Sequence, residues 1–245
     1  MTLNRTRKSI GAMLAGLTLG CGASAVAAAT ASDVFISETG LGVGQASGSL
    51  TLPVGTNNFW AGSQTIAIAA SSDGVAPTSF LAYCVDPAHY SATAFVPYLV
   101  PAITDSLAAA FPTQAATIQS LFDQYYAGTI GNAGASAAFQ LALWEVADDD
   151  GNLSTGSVQV NAGTSPSLVA GASAMLSGPG YLGPNPYYLT VFQVDRTAAG
   201  QAGQDYIVAS TDPIYVSAIP EPASYVMVIA GLALIGLGAR ARRRI

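Results

Sequence analysis

Apolar residues come in short bursts along the first third of the chain. "DVFIS", "SLTLPV", "TIAIAA" and "FLAYCV" alternate or run apolar over a few positions each. Gly, Asn, Asp and Ser separate them, which predicts short strands joined by turns. From Thr117 to Tyr126 the period changes. Ile118, Leu121, Phe122, Tyr125 and Tyr126 recur at helical spacing, and Gly128 reads as the stop. A second helix is expected over about Ser136 to Ala147. A third starts at Ser165 as N-cap with Pro166 at the first helical position, and ends near Gly178-Pro179. Strand patterns return in "YYLTVFQV", "DYIVAS" and "PIYVS". Strands, helices, then strands predict an α+β fold: a β-sandwich or barrel-like sheet with a helical insert between its two halves. No internal repeat is visible.

The second helix is apolar nearly all round, which is the mark of a buried helix. Gln140 and Glu145 are the polar exceptions between Ala137 and Ala147. A buried glutamine amide without partners costs on the order of 1–3 kcal/mol. Most such amides bond to a neighbouring backbone.

Both ends of the chain read as addresses. Arg5, Arg7 and Lys8 precede an apolar run from Ile10 to Leu19 and then "CGASAVAAATAS". That run is too short to span a bilayer, and the small residues offer A-x-A-like cleavage sites, so residues 1–29 read as a signal peptide. Thr18 stands where a lipid-attachment signal at Cys21 would have an aliphatic residue. At the other end come Pro220-Glu221-Pro222, an apolar stretch from Ala223 to Ala239, and then Arg240, Arg242, Arg243 and Arg244. At about 1.5 Å per residue the stretch just reaches across a bilayer core. The arginines would hold its end at the cytoplasmic face. This order resembles the PEP-CTERM sorting signal of Gram-negative bacteria over residues 218–245. The resemblance implies an exosortase as processing partner. It also implies an exported protein, at the cell surface or extracellular, that meets the membrane only through this transmembrane helix and only before processing.

Between the ends lies one domain, residues 30–217. The chain has eight Lys and Arg, and all but Arg196 lie in the two end segments. More than a dozen carboxylates remain there without a lysine. Such a surface argues against nucleic acid or anionic lipid as a partner.

Export makes Cys84 conspicuous. The other cysteine, Cys21, lies in the signal segment. A thiol can attack the Gln140 side-chain carbonyl and expel ammonia, giving an internal thioester that uses both oddities at once. A thioester hydrolyses in water and needs an apolar shell. Tyr83 and Phe139 flank the two residues, and Trp144 lies four positions after Gln140 on the same helix face. "YC" at Tyr83-Cys84 and "FQLALW" at Phe139–Trp144, with Gln140 56 positions after Cys84, resemble the two motifs of the thioester domain of bacterial surface adhesins. The resemblance implies Cys84 as thiol donor, Gln140 as acyl donor, and Ala142 and Trp144 as packing residues. It implies covalent attachment to an amine or hydroxyl on a surface or matrix partner. That is one event per molecule and not enzymatic turnover, and it calls for no cofactor and no metal. "GQDYIV" at Gly203–Val208 is the candidate closing strand. The family is best known from Gram-positive cell walls, whereas the tail here is of Gram-negative type. A lysine-free exported segment also has no side-chain amine with which to consume its own acyl group.

Two other readings remain open. A non-covalent exopolysaccharide or matrix module would simply bury Cys84 as a small hydrophobe. A thiol hydrolase would pair Cys84 with His89, the one histidine, though no third orienting group is evident. His89 could instead assist acyl transfer to a hydroxyl. "DDDGN" at Asp148–Asn152 lacks the alternating spacing of a calcium loop and reads first as a solvated turn, with a cation site second. Asn152-Leu153-Ser154 matches a glycosylation pattern that says little in a bacterial chain. "YLGPNPYY" reads as an aromatic loop before it reads as a glycan patch.

Overall fold

The computed structural model describes residues 32–69, 78–100, 106–196 and 203–214. The signal segment and the sorting tail, with its expected transmembrane helix, lie outside the described residues. Among the described residues no helix is long and apolar enough to cross a membrane.

Six antiparallel strands close into a barrel. They are β1 (Ser32–Leu41), β4 (Gln64–Ala69), β5 (Thr78–Cys84), β6 (Val96–Val100), β8 (Tyr188–Val194) and β9 (Tyr206–Ser210). Around the barrel the order is β1, β4, β5, β9, β8, β6. Closure leaves no unpaired sheet edge. Val34, Ile36, Ile66, Ala82, Tyr98, Phe192, Val194, Tyr206 and Val208 form its buried core, and every barrel strand contributes. The strand expected from "GQDYIV" is β9. It pairs with β5 through Ala82–Val208, Tyr83–Ile207 and Cys84–Tyr206.

A second sheet has three strands, β2 (Ala46–Leu52), β3 (Gly55–Ala61) and β7 (Gln159–Val160), in the order β3, β2, β7. The helices α1 (Ser106–Ala110), α2 (Ala115–Thr129), α3 (Ala133–Asp148) and α4 (Pro166–Leu176) lie in the chain between β6 and β8. They pack in one larger core with the small sheet and the outer side of the barrel. Tyr83, Val191 and Ile207 enter that core from the barrel, and Leu50, Phe59 and Ala61 from the small sheet. The helical insert thus sits as expected, and the sheet it interrupts is a barrel.

Several local expectations need correction. Gly128 does not end α2, which runs on to Thr129. The turn falls at Gly131, whose φ of 76° suits glycine, and Asn132 then caps α3 by accepting from the Ala135 N–H at 3.1 Å. Ser165 makes no side-chain cap; its hydroxyl meets that of Ser167 at 2.9 Å, and Pro166 at the start defines the helix instead. In "PIYVS", Pro213 and Ile214 are not in a strand, and the rest lies outside the described residues.

Candidate functional site

Cys84 is the last residue of β5, and Gln140 sits mid-way along α3. Both are buried, with about 1% of their surface exposed. The fold brings them together through an amide pair. The Cys84 backbone N–H donates to Gln140 Oε1 at 3.0 Å, and Gln140 Nε2 donates to the Cys84 carbonyl at 2.6 Å. The buried amide therefore finds its partners on the residue that carries the lone thiol.

Successive strand side chains point to opposite faces. Tyr83 turns to the helices, against Phe139 at 4.7 Å and against Phe122 and Tyr126 in edge contacts. Its hydroxyl meets Ser136 Oγ at 2.9 Å. This cluster fixes β5 against α3 and so sets the distance between Cys84 and Gln140. Ala142 is fully buried within the same helix layer.

The thiol is buried in the core that the barrel shares with the helices. Its sulfur accepts from the Asp86 N–H at 3.2 Å and lies 3.3 Å from the Asp86 carbonyl. Burial pushes the Cys84 thiol well above its ordinary pKa, while the Asp86 backbone contact and nearby Trp144 oppose that shift. Trp144 is 2% exposed, and its ring meets Phe59 edge-on at 5.4 Å. Its indole N–H has no hydrogen-bond acceptor among the described residues, although it lies close enough to the sulfur to favour the ionised form.

His89 does not pair with the thiol. Its Nδ1 meets both Asp86 carboxylate oxygens, at 2.7 and 2.9 Å, and its side chain is half exposed. Arg196 bridges Asp86 and Asp205, with Nη1 at 3.0 Å from Asp205 Oδ1. Asp205 also accepts from the Val194 N–H, and its carbonyl accepts from the Val85 N–H at 2.9 Å. The loop after Cys84 is thereby tied to β9. Asp86 was not singled out from the sequence, and Arg196 only as the lone cation of the exported segment. The signal was there: a lone cation amid carboxylates points to an ion-pair role.

A cleft of about 320 Å³ opens beside the site. Trp144 and Phe59 line it, as do His89 and Tyr90 from the loop, and Trp60 from β3. Trp144 thus lines the cleft and lies beside the buried thiol.

Glu145, the second polar residue of α3, is fully buried. Its Oε1 accepts from the Gly151 and Asn152 N–H groups, and Oε2 has no partner among the described residues. Burial, then the charges of Asp149 and Asp150, push it up to about 7, against the pull of the two N–H donors. The solvated turn expected at 148–152 is thus a helix-ending loop folded onto one carboxylate. Oxygens of Glu145, Asp149 and Asp150 lie within 4.8 Å of one another.

The PEP-CTERM protein-sorting motif family matches residues 218–244. This is an exported chain carrying an exosortase sorting signal, directed to the surface or the extracellular space. No curated protein matches the chain. Among solved structures it is similar to the N-terminal thioester domain of a surface protein from Clostridium perfringens. The identity is 14%, the TM-score 0.39, and the match covers 62% of this chain and 89% of that one. At that score the overlap is too loose to define a fold or a site.

Proposed function

We propose that the domain at 30–217 carries an internal Cys84–Gln140 thioester and attaches once, covalently, to a nucleophile on a surface or matrix partner. One observation carries the reading: the Gln140 amide is held against Cys84 itself, in a buried apolar site beside an open cleft. In the forming step the Cys84 sulfur bonds to the Gln140 side-chain carbon and the bond to Nε2 breaks. The thiol proton leaves with Nε2 as ammonia. The Cys84 N–H already donates to the carbonyl oxygen on which charge develops, as an oxyanion donor does. The Asp86 N–H favours the sulfur as it becomes anionic.

In the transfer step an amine or hydroxyl adds to the same carbon and the C–S bond breaks. The sulfur takes up the proton. His89, oriented by Asp86 and lining the cleft, is placed to relay a proton from an incoming hydroxyl. The thiol hydrolase reading gains nothing here, because the Cys84 sulfur contacts the Asp86 backbone and, among the described residues, no hydrogen bond joins it to His89. The non-covalent module is favoured by a separate fact, that the amide pair satisfies Gln140 without any covalent bond.

Incubation with a biotinylated amine and a biotinylated alcohol, followed by peptide mapping, tests the proposal. Label is expected at residue 140, and Cys84→Ala should lose it. Label at no residue, or label that survives Cys84→Ala, would overturn the reading.

A further inference from the structure

The cleft holds side chains that the thioester does not need. Trp60 is 66% exposed and Tyr90 75%, and both line this one cleft. Large rings left in water on a cleft lip offer flat apolar faces to a ligand. The polar lining is neutral apart from Glu38 and His89: Gln45, Asn58, Gln64, Ser91 and Gln204 supply amides and a hydroxyl. No Lys or Arg is among the lining residues, so the cleft holds no permanent positive charge to neutralise an anion.

Two buried polar atoms of the lining are unpaired among the described residues, and they are of opposite kind. Gln64 is 7% exposed, and its Nε2 donates to Ser91 Oγ at 3.1 Å and to Gln204 Oε1 at 3.4 Å. Gln204 is itself oriented, because its Nε2 donates to the His89 carbonyl. The chain of amides therefore fixes Gln64 with Oε1 as the atom left over, and that oxygen has no donor. The Trp144 indole N–H, beside the Cys84 sulfur, has no hydrogen-bond acceptor among the described residues. Leaving such groups unmet in a folded core is costly, so each marks a place for a ligand atom. An ammonium brings donors only and cannot serve Trp144. A carboxylate or phosphate brings acceptors only and cannot serve Gln64. A hydroxyl is both donor and acceptor.

The geometry points to this cleft as a binding site for a neutral polyhydroxyl ligand, a saccharide segment of the partner. Ring faces lie against Trp60 and Tyr90, and hydroxyls meet Gln64 Oε1 and Trp144 Nε1. The site deepens the proposed function and rests on it only for the step after binding, in which the bound hydroxyl is the acyl acceptor and the product is an ester. Binding itself needs no thioester.

Both tryptophans of the chain line the cleft, so intrinsic fluorescence reports on it directly. The exported protein, treated with methylamine to consume any thioester, is titrated with maltohexaose, cellohexaose and xylohexaose. Oligogalacturonate and spermidine serve as the anionic and cationic arms. A saturable change is expected with at least one neutral oligosaccharide and with neither charged ligand. Tyr90→Ala, on the exposed lip, and Gln64→Ala should each weaken it at least tenfold. Tyr188→Ala, another exposed ring outside this lining, should not. No response to any neutral oligosaccharide overturns the proposal, as does a response unmoved in Tyr90→Ala and Gln64→Ala. Response to spermidine alone also overturns it and leaves the thioester reading standing, since amine labelling at residue 140 is measured separately.

Discussion

The two buried polar residues of α3 meet different surroundings. Gln140 has each end of its amide matched by the backbone of one residue, Cys84. Glu145, little more than a turn later, has one oxygen matched by two loop N–H groups and the other by nothing among the described residues, with two more carboxylates beside it. The first region pins a helix to the barrel where chemistry between the two is possible. The second closes a helix end by folding an acidic turn over a carboxyl group that holds its proton up to about pH 7. A buried polar side chain is thus informative through the partner it selects, more than through its burial.

Removing Gln140 should have the largest effect. Gln140→Ala would delete the proposed covalent tie, strand the Cys84 N–H in the core and open a cavity. Together these cost on the order of 8 kcal/mol, read as a lower midpoint in urea unfolding. Cys84→Ala keeps the amide pair and sharpens the comparison. A bond closing the 56-residue separation contributes about 4 kcal/mol by loop entropy. A merely buried thiol loses only about 1–2 kcal/mol on truncation. A small loss in this variant would favour the non-covalent module.

Glu145 gives a pH signature. Its folded pKa is raised from 4.5 to about 7, so the folded state holds the proton more tightly than the unfolded chain. Its contribution is full below about 4.5 and is lost as pH rises through about 7. Asp148 titrates nearby. Its carboxylate stays open to solvent but is crowded by protein atoms, and that crowding, then Asp86, Asp149 and Asp205, pushes it up to about 6. Glu145→Gln keeps an acceptor for Gly151 and Asn152 and presents an NH₂ to the neighbouring carboxylates. Thermal melts at pH 8 should show it more stable than the parent by on the order of 2 kcal/mol, with no gain at pH 4. Arg196→Ala should have the smallest effect, roughly 1 kcal/mol, because the guanidinium is partly exposed. That difference should shrink when the melts are repeated in high salt.

Much of this was legible in the sequence. The helical face of α2 announced itself by period and α3 by its nearly unbroken apolar run, and "YC" with "FQLALW" marked two residues that the fold places in contact. Three strands escaped notice for physical reasons, and β7, only two residues long, is too short to show a pattern. β3, in the small sheet, carries Asn57, Asn58 and an exposed Trp60, so its alternation is hidden. β6, in the barrel, contains Pro97, which usually marks an edge, yet it pairs with both β1 and β8. Barrel closure depends on long-range register and left no local trace. Nor did the cleft, because Gln64, Tyr90 and Gln204 come from separate parts of the chain and acquire a shared role only through closure.

The central claim is that Cys84 and Gln140 are joined. Intact mass of freshly purified exported protein, with and without an alkylating reagent under denaturing conditions, tests it most directly. A joined pair predicts a mass one ammonia below that of the processed sequence, no alkylation at Cys84, and loss of the deficit in both Cys84→Ala and Gln140→Ala. Full sequence mass with a stoichiometrically alkylated Cys84 would contradict it.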